Sequence, residues 1–189
     1  MSEQLEISEL QRVFFQRRTI HLYEGEAVPI EWVNDALHAA HQAPNHKMTW
    51  PWRFTIIGPE TKSKIDSLAL KMKSANGPLE GSALDVFTKK RINPQLLVVS
   101  QVKSSDLWQS REDYAAVSCA IQNFMLSLAA RGVGSKWSTG SMTRHAMAYE
   151  LAEVPPDQEE IVGFIWFGFP ARTPEPKRPD LTEVVRRTL

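Results

Sequence analysis

The chain has 189 residues, 22 of them acidic and 22 basic, so its formal net charge is zero. That balance removes any overall pull toward nucleic acid or an anionic membrane, and the length predicts one core buried without covalent staples. Cys119 is the only cysteine, which excludes an internal disulfide and a cysteine-rich metal site.

No uninterrupted apolar run is long enough to span a bilayer. Met1 to Gln11 lacks the basic-then-apolar order of a secretory signal, so a cytoplasmic location is expected. His38 and His41 stand three apart, but no HExxH or Cys/His framework surrounds them, and they read as an exposed helix face rather than a metal pair. The sequence also lacks GxGxxG, GxxxxGK[ST] and GxSxG, which disfavours a Rossmann dehydrogenase, a P-loop ATPase and an α/β-hydrolase.

Ser8 followed by Gln11 predicts a capping box that opens the first helix, with Leu10, Val13 and Phe14 at helical spacing. His21 to Val28 reads as a loop. Pro29 then suits the first position of a second helix, with Ile30, Val33, Leu37 and Ala40 on its apolar stripe; Pro44 stops it. Trp52 to Gly58 is a strand candidate, and Glu60 to about Lys73 a helix. Ser74 to Gly81 is loop-like, and Leu84 to Arg91 is charged enough to form either a short helix or a flap.

Leu96 to Val102 reads as a buried strand. The clearest helix follows: Tyr114, Val117, Ile121, Phe124, Met125 and Leu128 fit a 3.6-residue period, and Gly132 ends it. Ile161 to Phe169 is apolar on both faces, as a central strand is. Beyond Pro170 the composition turns to Pro, Arg and Lys and predicts an extended tail over 171–189. The order of elements argues for a single α+β domain layered around one sheet.

Two polar clusters carry the chemistry. Arg17 and Arg18 end the first helix, with Thr19 directly after them; two guanidinium groups beside a hydroxyl suit a phosphate. Ala43-Pro44-Asn45-His46-Lys47 follows the second helix and leads into Trp50-Pro51-Trp52-Arg53-Phe54.

With RRT, APNHKMTWPWRF, AAVSCAIQNFMLSLAARGVGSKWSTG and IVGFIWFGFP in this order, the chain resembles the FMN-dependent nitroreductase family, most of all its compact single-domain NAD(P)H nitroreductases. The resemblance runs from about Leu10 to Pro170. It implies an α+β nitroreductase-like fold, a mixed central β-sheet flanked by helices, and an intertwined homodimer with FMN at the subunit interface.

Carried over by position, Arg17, Arg18 and Thr19 match the segment that holds the phosphate, ribityl chain and pyrimidine edge. Pro44, Asn45 and His46 match the segment reaching the flavin from the other subunit, with Gln42 one turn earlier. Trp137, Ser138 and Thr139 match the W-x-[ST] stretch after the long helix, and Lys177 and Arg178 a basic element beside the phosphate. Thr19 stands in place of the usual Ser, Trp50 in place of Gln, and Gln42 is neutral where a basic residue is common.

The implied activity is ping-pong transfer of electrons from NAD(P)H to a nitroaromatic, quinone or other electron-poor acceptor. No catalytic side chain is required, since hydride transfer belongs to the flavin. Ser74 to Arg91 is the segment expected to shape substrate access, with Phe87 over the flavin face. The alternatives are a flavin-binding or sequestration protein with little turnover, and a specialised flavin enzyme such as a dehalogenase.

Overall fold

The computed structural model describes residues 8–175 and 178–188. Helix α1, Glu9–Gln16, opens on the expected capping box: the Ser8 side chain accepts from the Gln11 amide, and the Gln11 side chain accepts from the Ser8 amide at 2.9 Å. The second helix, α2, is Ile30–His41, with Pro29 as its cap rather than its first residue. Its buried stripe is Val33, Ala36 and Ala40, with Leu37 packed against the same core; of the predicted stripe only Ile30 is exposed.

Strand β1 is Trp52–Ile57, helix α3 Pro59–Lys73, helix α4 Gly81–Lys89 and strand β2 Gln95–Val102. The long helix α5 is Leu107–Ala129, capped by the Asp106 carboxylate, which accepts from the amides of Trp108 and Gln109. Strand β3, Gly134–Ser138, leads through a 3₁₀ turn to helix α6, Ala146–Leu151, and strand β4 is Glu159–Gly168. The charged 84–91 segment is thus mainly helical, and none of the side chains of α4 is buried.

The sheet order is β1-β2-β4-β3, and every strand pair is antiparallel. Among the described residues, parallel pairing is confined to a single bridge between Thr19 and Ser135, which ties the exit from α1 to the outer edge of β3. The two central strands, β2 and β4, are buried almost throughout, because helices cover both their faces.

On one face α2 and α5 pack against Leu97, Val99, Ile165 and Phe167, with Phe124 edge-on to Phe167 at 5.7 Å. On the other, Ile65 and Leu68 of α3, Ala148 of α6 and Ala152 just after it pack against Leu96, Val98, Phe164 and Trp166. Tyr114, periodic with the apolar face of α5, lies outside this core and is exposed.

Candidate functional site

The segment Arg17–Tyr23 is the spine of the site. After α1 it runs along β3, where the Ile20 amide donates to the Ser135 carbonyl at 3.0 Å, and it leaves beside Pro170 through a bridge at Tyr23. The Tyr23 hydroxyl donates to the carbonyls of Ile20, at 2.9 Å, and Trp166, at 3.2 Å, which locks this turn onto β4. Burial pushes the Tyr23 phenol up, so it stays protonated and serves as a fastener.

A cavity of about 480 Å³ opens on one side of the spine, lined by Arg17, Arg18, Ala129, Gly134 and Glu175 among others. Burial, then the charges of Arg178 and Arg18, push the Arg17 guanidinium down. Arg178 is near enough for its charge to act on Arg17; Lys177 lies outside the described residues. The two arginines are not equivalent. Arg18 turns back on its own helix, donating to the carbonyls of Phe15 and Arg17, and so caps the C-terminus of α1. The guanidinium of Arg18 is thus engaged by its own helix end, while Arg17 lines the cavity beside it.

Two further cavities lie on the α3 side of the sheet and share Lys73, Arg91 and Trp166. One, of about 290 Å³, is lined also by Ser138, Thr139 and Gly140. The other, of about 230 Å³, is lined also by His21, Phe87, Lys90 and Lys136. Its five cationic or ionisable side chains come from four parts of the chain, only Lys90 and Arg91 being neighbours, which is why spacing in the sequence does not single them out. Only Lys136 carried a usable signal: it alternates with Trp137 along β3, and the alternation shows once Gly134–Ser138 is recognised as a strand.

Arg91 is held between the rings of Phe87, at 4.9 Å, and Trp166, at 4.6 Å, and pairs with Asp66 at 2.9 Å. Phe87 is one of the side chains lining the smaller cavity, where the stacked Arg91 guanidinium holds it. Burial lowers the Lys136 ammonium, and Arg91, Lys90 and Lys73 lower it further; burial likewise lowers His21, helped by Lys136 and Lys90.

A Lys held below its ordinary value opposes folding for as long as it is charged, and the penalty lifts only as pH rises. Replacing Lys136 with Met is therefore expected to raise the melting temperature of the ligand-free protein at pH 7. An unchanged or lowered value at low ionic strength would show that the cluster is already neutralised.

Trp137 is placed differently from the expectation. Its indole lies on the α5 face of β3, among the core side chains, and its Nε1 donates to the Val162 carbonyl at 3.4 Å. Its side chain is a packing group. Ser138 faces the opposite way, and its Oγ is buried without a hydrogen-bond partner, as is that of Ser135. Gly140, at φ +118°, turns the chain out at the cavity edge in a conformation that L side chains rarely adopt.

The second predicted cluster is elsewhere. Gln42 ends α2, and Pro44, Asn45 and His46 lead into a tight turn in which Lys47, Met48 and Trp50 all have positive φ. This turn contacts α5 near its start, through Thr49 and Asp113, whereas the Arg17 cavity touches α5 at Ala129. At about 1.5 Å per residue those points are about 24 Å apart along the helix. One chain does not bring the two clusters together.

Trp50, where the resemblance places Gln, stacks edge-on against Trp52 at 6.0 Å and lies 5.8 Å from His41. His41 accepts from the Trp52 indole at 3.0 Å, and with His38 it lines a groove of about 630 Å³ beside Arg53.

The Nitroreductase family model matches residues 15–169. A protein of Bacillus subtilis (strain 168), named "Putative NAD(P)H nitroreductase YfhC", is 31% identical over 175 residues, which cover 90% of this chain and 89% of that protein. The crystal structure of a nitroreductase-like family protein from Bacillus cereus aligns with a TM-score of 0.79 and 27% identity, covering 100% of this chain and 98% of that one. Iodotyrosine deiodinase bound to FMN and 3-iodo-L-tyrosine shares the fold, with a TM-score of 0.70 and 24% identity over 95% of this chain and 99% of that one. The matched span takes in the Arg17 spine, the strained 45–50 turn and all four strands, and by it the chain belongs to the nitroreductase family.

Proposed function

We propose that this chain is an FMN-dependent oxidoreductase that takes electrons from NAD(P)H and passes them to a nitroaromatic, quinone or other electron-poor acceptor by a ping-pong cycle. The observation that carries this reading is the position of the Arg17–Tyr23 spine between an arginine-lined cavity and a second one ringed by His21, Lys73, Lys90, Arg91 and Lys136. A phosphorylated flavin needs both: a cationic grip for the phosphate, and positive charge where the reduced ring gathers electrons. The unpartnered Ser138 Oγ and the neighbouring Thr139 add hydroxyls at the edge of the same region.

Hydride acceptance and electron delivery are the chemistry that FMN supplies when bound. The chain's own residues bind and tune. Arg17, with Arg178, takes the phosphate. Lys136 and Lys73 would supply positive charge to the bound flavin ring, which would favour its reduced state, and His21 would support them. Phe87, fixed by Arg91, keeps water from one side. Lys136 then has two effects of opposite sign, a penalty in the ligand-free protein and an attraction once an anion is bound.

A second copy completes the site in this reading, because Gln42, Pro44, Asn45 and His46 lie at the far end of α5 from Arg17. Phe14 and Phe15 on α1, and Leu107 and Trp108 at the start of α5, are exposed apolar side chains that a homodimer would cover. Among the described residues no helix is long and apolar enough to cross a membrane, and the reading places the enzyme in the cytoplasm as one domain with a C-terminal tail.

The test is absorbance of purified protein after FMN addition and desalting, followed by anaerobic NADH or NADPH. Retained flavin that bleaches with a nicotinamide is the expected result. Retained flavin that stays oxidised would favour the sequestration reading, and no retained flavin would remove the site as drawn. The FMN and iodotyrosine ligands of the deiodinase neighbour keep dehalogenation among the acceptors to assay.

A further inference from the structure

We infer that Asp113 is a positioning residue, whose buried carboxylate holds the 45–50 turn in the strained form that presents Asn45 and His46 to the flavin. The inference rests on the flavin reading above for its functional half and on geometry for the rest.

Asp113 is on α5 and is 3% exposed. Among the described residues no cation pairs with it. A buried carboxylate without a cation is costly unless hydrogen bonds replace its water, and two do: the Gln109 side-chain amide donates to Oδ1 at 2.9 Å, and the Thr49 hydroxyl donates to the same oxygen at 2.5 Å. Thr49 is the second link. Its Oγ1 accepts from the Asn45 side-chain amide at 3.1 Å, while the Asn45 Oδ1 accepts from the Trp50 main-chain amide at 2.7 Å. A chain of hydrogen bonds thus runs from the interior of α5, through Thr49 and Asn45, to the backbone of the turn.

The turn needs such a hold. Lys47, Met48 and Trp50 sit at φ of 59°, 51° and 48°, a region that non-glycine residues enter only at a cost that surrounding contacts repay. Three such residues within four positions do not keep that form on their own propensity. The strain also lies beside the segment Pro44–His46, which in the flavin reading reaches the partner's cofactor. A carboxylate suits this anchor better than an amide, because an acceptor-only oxygen draws the Thr49 proton inward and leaves the Thr49 lone pairs for Asn45.

Thr49→Val removes the hydroxyl and keeps the shape at an exposed position, while Thr49→Ser keeps the hydroxyl; Asp113→Asn keeps the size of the anchor. Two readouts separate the halves of the inference: hydrogen exchange across 45–50 in the ligand-free protein, and the dissociation constant for FMN by fluorescence titration. Thr49→Val and Asp113→Asn are expected to speed exchange in the turn and to weaken FMN by about tenfold each, the scale of one hydrogen bond to a charged group. Thr49→Ser should stay within about twofold of wild type, because it retains the donor and acceptor. Exchange over 117–128 of α5 should stay unchanged in all three, which a general loss of packing would not leave alone.

If the wild type binds FMN while Thr49→Val and Asp113→Asn match it in both readouts, the inference is overturned. If the wild type binds no FMN, the flavin reading falls and takes the presenting role with it, and the exchange data alone then decide whether Asp113 holds the turn.

Discussion

Replacing Arg17 with Ala is expected to weaken FMN about 10- to 150-fold, the equivalent of about 1.5–3 kcal/mol for hydrogen bonds to a charged group. The loss should fall on the phosphate alone, so riboflavin, which lacks it, should bind the variant and the wild type alike. The structure supplies the reason for choosing Arg17 over its neighbour. Arg18 spends its guanidinium on the carbonyls of Phe15 and Arg17, whereas Arg17 is half-buried beside Arg178 and lowered by that burial and by like charge. Without an anion, Arg17 is repelled by its surroundings, so its removal should leave the melting temperature of the ligand-free protein unchanged or slightly raised.

Arg18→Ala should do the reverse, loosening the end of α1 and costing stability more than affinity. Arg17→Lys should recover only part of the binding, since an ammonium offers a point charge where the guanidinium offers a fork. Isothermal titration with FMN and with riboflavin, at low and high salt, checks all of these. Equal losses for the two flavins would mean that Arg17 acts on the shape of the cavity and not on the phosphate.

Local signals explain which parts of this arrangement the sequence revealed. The Ser8–Gln11 capping box, strands β1, β2 and β4, and most of the long helix depend on neighbours a few residues away or on burial from both sides. Strand β3 has neither property. Gly134-Ser135-Lys136-Trp137-Ser138 is short, at the edge and mixed in polarity, and its strand character comes from Phe164–Gly168, far along the chain. Missing β3 hid the alternation that puts Lys136 into one cavity and Trp137 into the opposite core.

The same limit hid the positive φ of Lys47, Met48 and Trp50. No glycine marks that turn, because tertiary bonds through Thr49 and Asp113 impose it. The doublet Arg17-Arg18 was readable as a cluster, yet its division into a helix cap and a guanidinium facing a cavity depends on where the chain goes after Thr19, along an edge strand that the sequence does not announce.

Gly163→Ala is the substitution expected to cost most stability for one added methyl group. A Cβ built at Gly163 would lie 2.1 Å from Trp137 Nε1 and 2.5 Å from Trp137 Cδ1, with the Ser138 carbonyl oxygen at 3.3 Å. The indole is partly buried, packed against the α5 face with its Nε1 directed at Val162 O, so yielding would cost it these contacts. Either the ring leaves its place or β3 is pushed off β4, and overpacking of this kind costs about 1–3 kcal/mol. At about 2–4 °C per kcal/mol for a chain of this size, the melting temperature should fall by about 2–12 °C.

The disturbance has a direction, because Ser138 and Thr139, next along the strand, line the cavity beside Lys73 and Arg91. FMN affinity should therefore fall along with stability. Trp137→Ala provides the control. Alone it leaves a void and destabilises, but it removes the atoms that the new methyl group strikes, so Gly163→Ala should cost markedly less in that background. Thermal unfolding of the four proteins of this cycle measures the coupling. Equal costs of Gly163→Ala in both backgrounds would show that the strand, not the indole, takes up the strain. The Ser138 carbonyl would then be the contact that fixes glycine at this position.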